Sequence, residues 1–130
     1  MRKKLIKVGA IAGIVGMLVG STAYAGTAAH PYGTVVGRFN GYGYSSYQTK
    51  VYAGKDGYIY STEVGGKYKV DVRMASSVGN GAWLRDVTDG TQKAVKAHSK
   101  QTKGSKIRMQ FSNDALTPVT VYVEGFWKSN

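Results

Sequence analysis

Lys67-Tyr68-Lys69-Val70-Asp71-Val72-Arg73-Met74 decides the fold class. Tyr68, Val70, Val72 and Met74 alternate with four charged residues, and only a half-buried strand keeps every second side chain on one face over such a length. The pattern recurs in Lys106-Ile107-Arg108-Met109-Gln110-Phe111, with Ile107, Met109 and Phe111 inward. It recurs again in Val119-Thr120-Val121-Tyr122-Val123-Glu124, with the three valines inward. One apolar and one wet face is the signature of antiparallel sheets. Weaker strand candidates lie at 35–39, 46–52, 57–62 and 82–87. Gly54-Lys55-Asp56-Gly57, Gly65-Gly66, Gly79-Asn80-Gly81 and Asp89-Gly90 separate them, because Gly, Asn and Asp accept the positive φ that tight turns need. The expectation is an all-β chain: a single small antiparallel β-sandwich of about seven to eight short strands over residues 33–128. The 130 residues leave room for one such domain, and ten Tyr with only two Pro suit pleated sheet.

The first 25 residues read differently. Arg2, Lys3, Lys4 and Lys7 form a basic head, 8–20 carry no charge, and Ala23-Tyr24-Ala25 ends the stretch with small residues where a signal peptidase reads them. This order predicts a secretory signal peptide over 1–25, cleaved after Ala25. The rival is a membrane anchor, but thirteen helical residues at about 1.5 Å each cover about 20 Å, short of the ~30 Å hydrocarbon layer. The protein is thereby expected to be secreted, extracellular or associated with the cell wall, with no transmembrane anchor. Residues 26–32 are expected to be a disordered lead.

Composition narrows the chemistry. With no Cys, thiol nucleophiles, disulfides, iron–sulfur clusters and Cys-based zinc sites are excluded, and two His are too few for a three-His metal centre. Gly65-Gly66-Lys67 lacks the first glycine and the Ser or Thr of a phosphate loop, and the 86–91 stretch lacks the closing Glu of a calcium loop. No nucleophile-elbow motif occurs, and His30 and His98 have no acidic neighbour in sequence. Glu63, Glu124 and the five Asp are the carboxylates from which a glycosidase pair would have to come, and each sits beside basic or turn residues that explain it as surface charge. The expectation is a non-enzymatic protein with no catalytic residues, no metal and no cofactor.

Charge points to a partner. Without the leader's four cations, the 18 Lys and Arg fall to fourteen against seven acids, a net charge of +7. An anionic partner fits this balance, either a wall polymer or a lipid head group, while nucleic acid is not expected outside the cell. The alternative is that the charge serves solubility alone. From Lys93 to Arg108 six cations occur with no acid: Lys93, Lys96, Lys100, Lys103, Lys106 and Arg108. Residues 93–97 read as a short strand and 98–106 as a basic loop. A helix over 91–103 would align the lysines but bury almost nothing. These six are the candidate binding residues, set against the reading of lysines that merely guard a sheet edge.

Seven tyrosines crowd into residues 42–68. Tyr42 and Tyr44 share a face, as do Tyr58 and Tyr60. Exposed, they would offer stacking surfaces, so Tyr42 and Tyr44 join the candidate site. Because 26–130 holds only Leu84 and Leu116 as leucines, at least half of the seven are expected in the core, together with Trp83 and Trp127.

Val35-Val36-Gly37-Arg38-Phe39, Ala82-Trp83-Leu84-Arg85-Asp86-Val87, Lys106-Ile107-Arg108-Met109 and the closing Val121-Tyr122-Val123-Glu124-Gly125-Phe126-Trp127 resemble a group of small secreted proteins of unknown function from Gram-positive bacteria. The resemblance implies a signal peptide followed by one all-β domain and supplies no catalytic residue. A fainter resemblance is to bacteriocins of the lactococcin 972 type, which are cationic, cysteine-free and rich in Gly and Tyr; this chain is longer and ends differently. Two expectations follow: a cationic module that associates with an anionic envelope component, or a secreted bacteriocin-like antimicrobial acting on competing bacteria.

Overall fold

A computed structural model of the chain describes residues 24–130. The signal peptide expected over 1–25 therefore lies outside the described residues apart from Tyr24 and Ala25. The architecture is all-β, with two sheets and no α-helix among the described residues. The strands are β1 (Tyr24–Ala25), β2 (His30–Val36), β3 (Tyr42–Tyr44), β4 (Gln48–Thr49), β5 (Gly57–Val64), β6 (Val70–Ala75), β7 (Leu84–Val87), β8 (Gln92–Val95), β9 (Lys106–Asn113) and β10 (Val121–Lys128). Three of them span three residues or fewer, which is why the sequence suggested seven or eight.

One sheet has the order β1-β4-β9-β6-β7, and β3 shares with β4 the same edge of β9. The other has the order β2-β10-β5-β8. All pairings are antiparallel except the short β1–β4 bridge. Period two places Val70, Val72, Met74, Ile107, Met109 and Phe111 inward from the first sheet, and Ile59, Val95, Val121, Val123 and Trp127 inward from the second; all are buried. The Tyr32 ring meets Phe111 across the sheets with centroids 4.9 Å apart. Gly57 marks a tight approach between the layers, since a Cβ there would lie 2.5 Å from the Met74 sulfur and 2.6 Å from the Lys128 carbonyl oxygen.

One end of the sandwich is closed by polar side chains. Buried Gln48 donates from Nε2 to the Trp127 carbonyl (2.8 Å) and accepts from the Ser129 amide (2.8 Å), doing across the sheets what a ladder bond does within one. Lys50, only 1% exposed, donates from Nζ to the carbonyls of Lys55 and of Ser129 (2.7 Å). Burial pulls its pKa from 10.5 down to about 8; Asp56 opposes the shift and Lys55 adds to it.

Several expectations are corrected. Residues 26–32 are not a disordered lead: Gly26 donates to the Thr49 carbonyl (2.8 Å), and His30, Pro31 and Tyr32 pair with Trp127, Phe126 and Gly125. Pro31 is tolerated because β2 is an edge strand. Tyr68 is exposed rather than inward, since a tight turn over Gly65–Lys67, with positive φ at Gly66 and Lys67, delays the strand to Val70. Val119 is exposed because β10 starts only at Val121. None of the seven clustered tyrosines is in the core; Tyr32 is the one buried tyrosine of the chain. Valines, Ile59, Ile107, two methionines, Phe111 and Trp127 fill the interior without them. Trp83 is also outside the core, whereas Trp127 is fully buried.

Candidate functional site

The outward residues of the six-stranded sheet form a row of aromatic rings and guanidinium groups. In β9 the inward set leaves Lys106, Arg108, Gln110 and Ser112 facing out; in β6 it leaves Asp71 and Arg73. Tyr42 and Tyr44 of β3 stand opposite Ser112 and Gln110, on the same side. Their rings are 6.4 Å apart. The Arg108 guanidinium lies 3.8 Å from the Tyr44 ring centroid and 5.0 Å from that of Tyr47. On the neighbouring strand Arg73 lies 4.3 Å over the Trp83 ring, and Arg85 lies 5.9 Å from the same ring.

Gln110 connects the two groups. Its Oε1 accepts from Arg73 Nε at 2.8 Å, and its Nε2 reaches the Tyr44 hydroxyl at 3.5 Å. At the far end Asp71 fixes Arg85 through a 2.6 Å ion pair and accepts the Asp86 amide at 3.1 Å. The left-handed Asp86 (φ 60) belongs to the irregularity of β7 that turns its amide toward Asp71. Arg108, Arg73 and Trp83 are half-buried, while Tyr42, Tyr44 and Tyr47 remain exposed.

This arrangement presents positive charge in fixed positions. A guanidinium stacked on a ring gains about 0.5–2 kcal/mol and loses conformational freedom, yet its N–H edge stays available for a bidentate bond to a carboxylate or phosphate. The rings beside it add flat apolar surface. Four cations (Lys106, Arg108, Arg73 and Arg85) share the face with Asp71, and exposed Asp86 lies beside Arg85 in the bulge of β7.

The sequence-derived site is only partly brought together. Arg108, Tyr42 and Tyr44 meet on this face, and Lys106 lies two residues along β9 from Arg108, with Nζ 3.3 Å from Thr49 Oγ1. Lys93 lies instead on β8, the edge of the other sheet. Lys96 is ion-paired to Asp56 at 3.7 Å, and Lys100 and Lys103 sit exposed in the connection from β8 to β9. A strand followed by a basic loop is present and no helix forms there, but the strand is Gln92–Val95 rather than 93–97, and Lys106, expected in the loop, opens β9. Buried Gln101 shapes that loop: its Nε2 donates to the carbonyls of Met74 (3.0 Å) and Gly79 (2.9 Å), and its Oε1 accepts the His98 amide (3.1 Å).

Arg73, Arg85, Trp83, Tyr47 and Gln110 were missed as site residues. Period two already put Arg73, Arg108 and Gln110 on wet faces, but nothing local shows that those faces belong to adjacent strands. Among the described residues no three His, Asp or Glu side chains gather as a metal site. Comparison with protein-family models, with curated proteins and with solved structures found no match.

Proposed function

We propose that this protein is a secreted, non-enzymatic binding module that attaches to an anionic polymer of the cell envelope through the outer face of its six-stranded sheet. The observation that carries the reading is the joined row Tyr47–Arg108–Tyr44–Gln110–Arg73–Trp83–Arg85, in which cations are held against aromatic rings along a flat surface. A flat, open row suits an extended chain with repeated negative charge better than a small molecule, which needs a concave pocket. The lysines of the β8–β9 connection add to the field that draws such a polymer in, but their placement gives no fixed geometry.

The test is retention of purified protein on isolated cell walls. Arg73→Gln with Arg108→Gln should reduce retention at least tenfold, while Lys100→Gln with Lys103→Gln should reduce it less and chiefly at low salt. Retention of the arginine variant at the wild-type level would reject the reading. Parallel zone-of-inhibition plates on competing bacteria separate simple attachment from the bacteriocin-like alternative.

A further inference from the structure

The outer face of the four-stranded sheet carries a different pattern. Its central strands bring together the only two glutamates of the chain, with Glu124 directly opposite Glu63. Like charges in that relation destabilise a sheet. Among the described residues neither has an ion-pair partner; Glu124 is 9% exposed, with the Tyr122 hydroxyl against it. Two residues farther along β10, Phe126 stands 47% exposed between Tyr60 on β5 and Pro31 on β2. Two residues beyond that is Lys128, opposite Tyr58. The Tyr58 and Tyr60 rings are 4.9 Å apart, and Val35, opposite Tyr122, is exposed at the acidic end.

Along β10 the face thus reads acid, aromatic, cation, with Phe126 midway. At about 3.3 Å per residue, Glu124 and Lys128 lie about 7 Å to either side of Phe126. Such a row is self-complementary. Turned about a two-fold axis lying in the interface and crossing β10 at Phe126, a second copy sets its lysine over the first copy's glutamates and its phenylalanine over the first copy's phenylalanine.

We propose that this face is the interface of a two-fold symmetric dimer, in which Lys128 of each copy neutralises the Glu63–Glu124 pair of the other around a centre of Phe126, Tyr60 and Tyr58. An isologous contact of this kind is the commonest form of soluble assembly. Four strands at about 4.8 Å and seven residues at about 3.3 Å give a footprint of roughly 20 by 23 Å, the small end of specific interfaces, so the dimer is reversible. Its chemistry is independent of the Arg–Tyr face, which in the dimer stays free on both copies and makes attachment bivalent.

Sedimentation velocity on the purified protein over about 1–300 μM tests this, in the range where so small an interface associates. The expected mass rises with concentration from that of one chain toward twice that value. Phe126→Ser, at an exposed position, should hold the protein monomeric. So should Lys128→Glu alone and Glu63→Lys with Glu124→Lys alone, whereas an equimolar mixture of those two charge variants should dimerise, because each then meets its complement. A wild type monomeric throughout would overturn the proposal, as would Phe126→Ser dimerising like wild type. A mixture of folded charge variants that stays monomeric would overturn it too. If the double glutamate variant does not fold, Phe126→Ser and Lys128→Glu decide the matter, since both must lose the dimer. Wall retention of the monomeric variants weakens through lost bivalency but persists, whereas Arg73→Gln with Arg108→Gln loses retention and still dimerises, so failure here is distinguishable from failure of the polymer reading.

Discussion

Lys50→Met is the substitution whose effect the structure fixes most fully. The Lys50 ammonium is buried, and it donates to main-chain carbonyls at the end of β10 and in the turn before β5. Its pKa falls from 10.5 to about 8, chiefly through burial. Between these two values the unfolded chain holds a proton that the folded chain has released, so unfolding stability rises with pH across that window. At 1.36 kcal/mol per unit the full shift is worth up to about 3 kcal/mol, a deficit present below pH 8 and removed by pH 10.5. Methionine keeps the length and removes the titration. It also leaves the Ser129 carbonyl without its partner, at a cost of about 1–3 kcal/mol. Urea unfolding of wild type and Lys50→Met at pH 7, 8, 9 and 10 reads both effects. Ionisation of tyrosines, including Tyr32 and Tyr122 whose pKa values burial pushes up, is common to the two proteins and cancels in the difference. The expected result is a stability gap, wild type minus variant, that widens steadily above pH 8. A gap independent of pH would refute the claim that the ammonium is held at the expense of desolvation.

Gly57→Ala should destabilise by about 1–3 kcal/mol, seen as a lower urea midpoint with unchanged slope, because the new Cβ meets both the Met74 sulfur and the Lys128 carbonyl, and the latter belongs to a central strand that cannot give way. Gln101→Ala should lower the thermal midpoint by about 5 °C, since it leaves the His98 amide unpaired and removes one of the two donors to the Met74 carbonyl, which keeps the Gly81 amide. It should also speed tryptic cleavage at Lys100 and Lys103 while leaving far-UV circular dichroism unchanged.

Period two was enough to identify the inward residues of β6, β9 and β10, because burial is decided one strand at a time: Val70, Val72, Met74, Ile107, Met109, Phe111, Val121 and Val123 are buried as the alternation requires. Register is decided between strands, and that is where the sequence is silent. Arg73 reaches Gln110 across 37 positions and Gln110 reaches Tyr44 across 66, so the aromatic–guanidinium row exists only once β3, β9 and β6 lie side by side. The basic run from Lys93 to Arg108 misled for the complementary reason. Its members are neighbours along the chain, but the chain crosses from one sheet to the other within it, leaving Lys93 on an edge and Arg108 at the centre of a different face. Trp83 was assigned to the core by hydrophobicity alone, and the cations on either side of it, Arg73 and Arg85, are what make a half-buried indole stable on an outer face.

A two-sheet sandwich needs only one apolar face per sheet to fold, so the composition of the other faces is not set by the core. Nine of the ten tyrosines lie outside the core, along with Trp83 and Phe126, and burial within the monomer does not account for them. The two outer faces also divide their charge: arginines with tyrosines on the six-stranded sheet, glutamates with aromatics on the four-stranded sheet. Lys100 and Lys103 stand exposed in a loop, as cations serving solubility do, while the two glutamates stand beside each other. Stacking instead holds Arg73 and Arg108 against rings, which costs side-chain entropy in the free protein and would lower the ordering cost of binding an anion. The two glutamates stand directly opposite each other with no ion-pair partner among the described residues, a relation that disfavours a sheet. On the readings proposed above, the arginine face would take an anion and the glutamate face a cation, so the two faces call for partners of opposite sign.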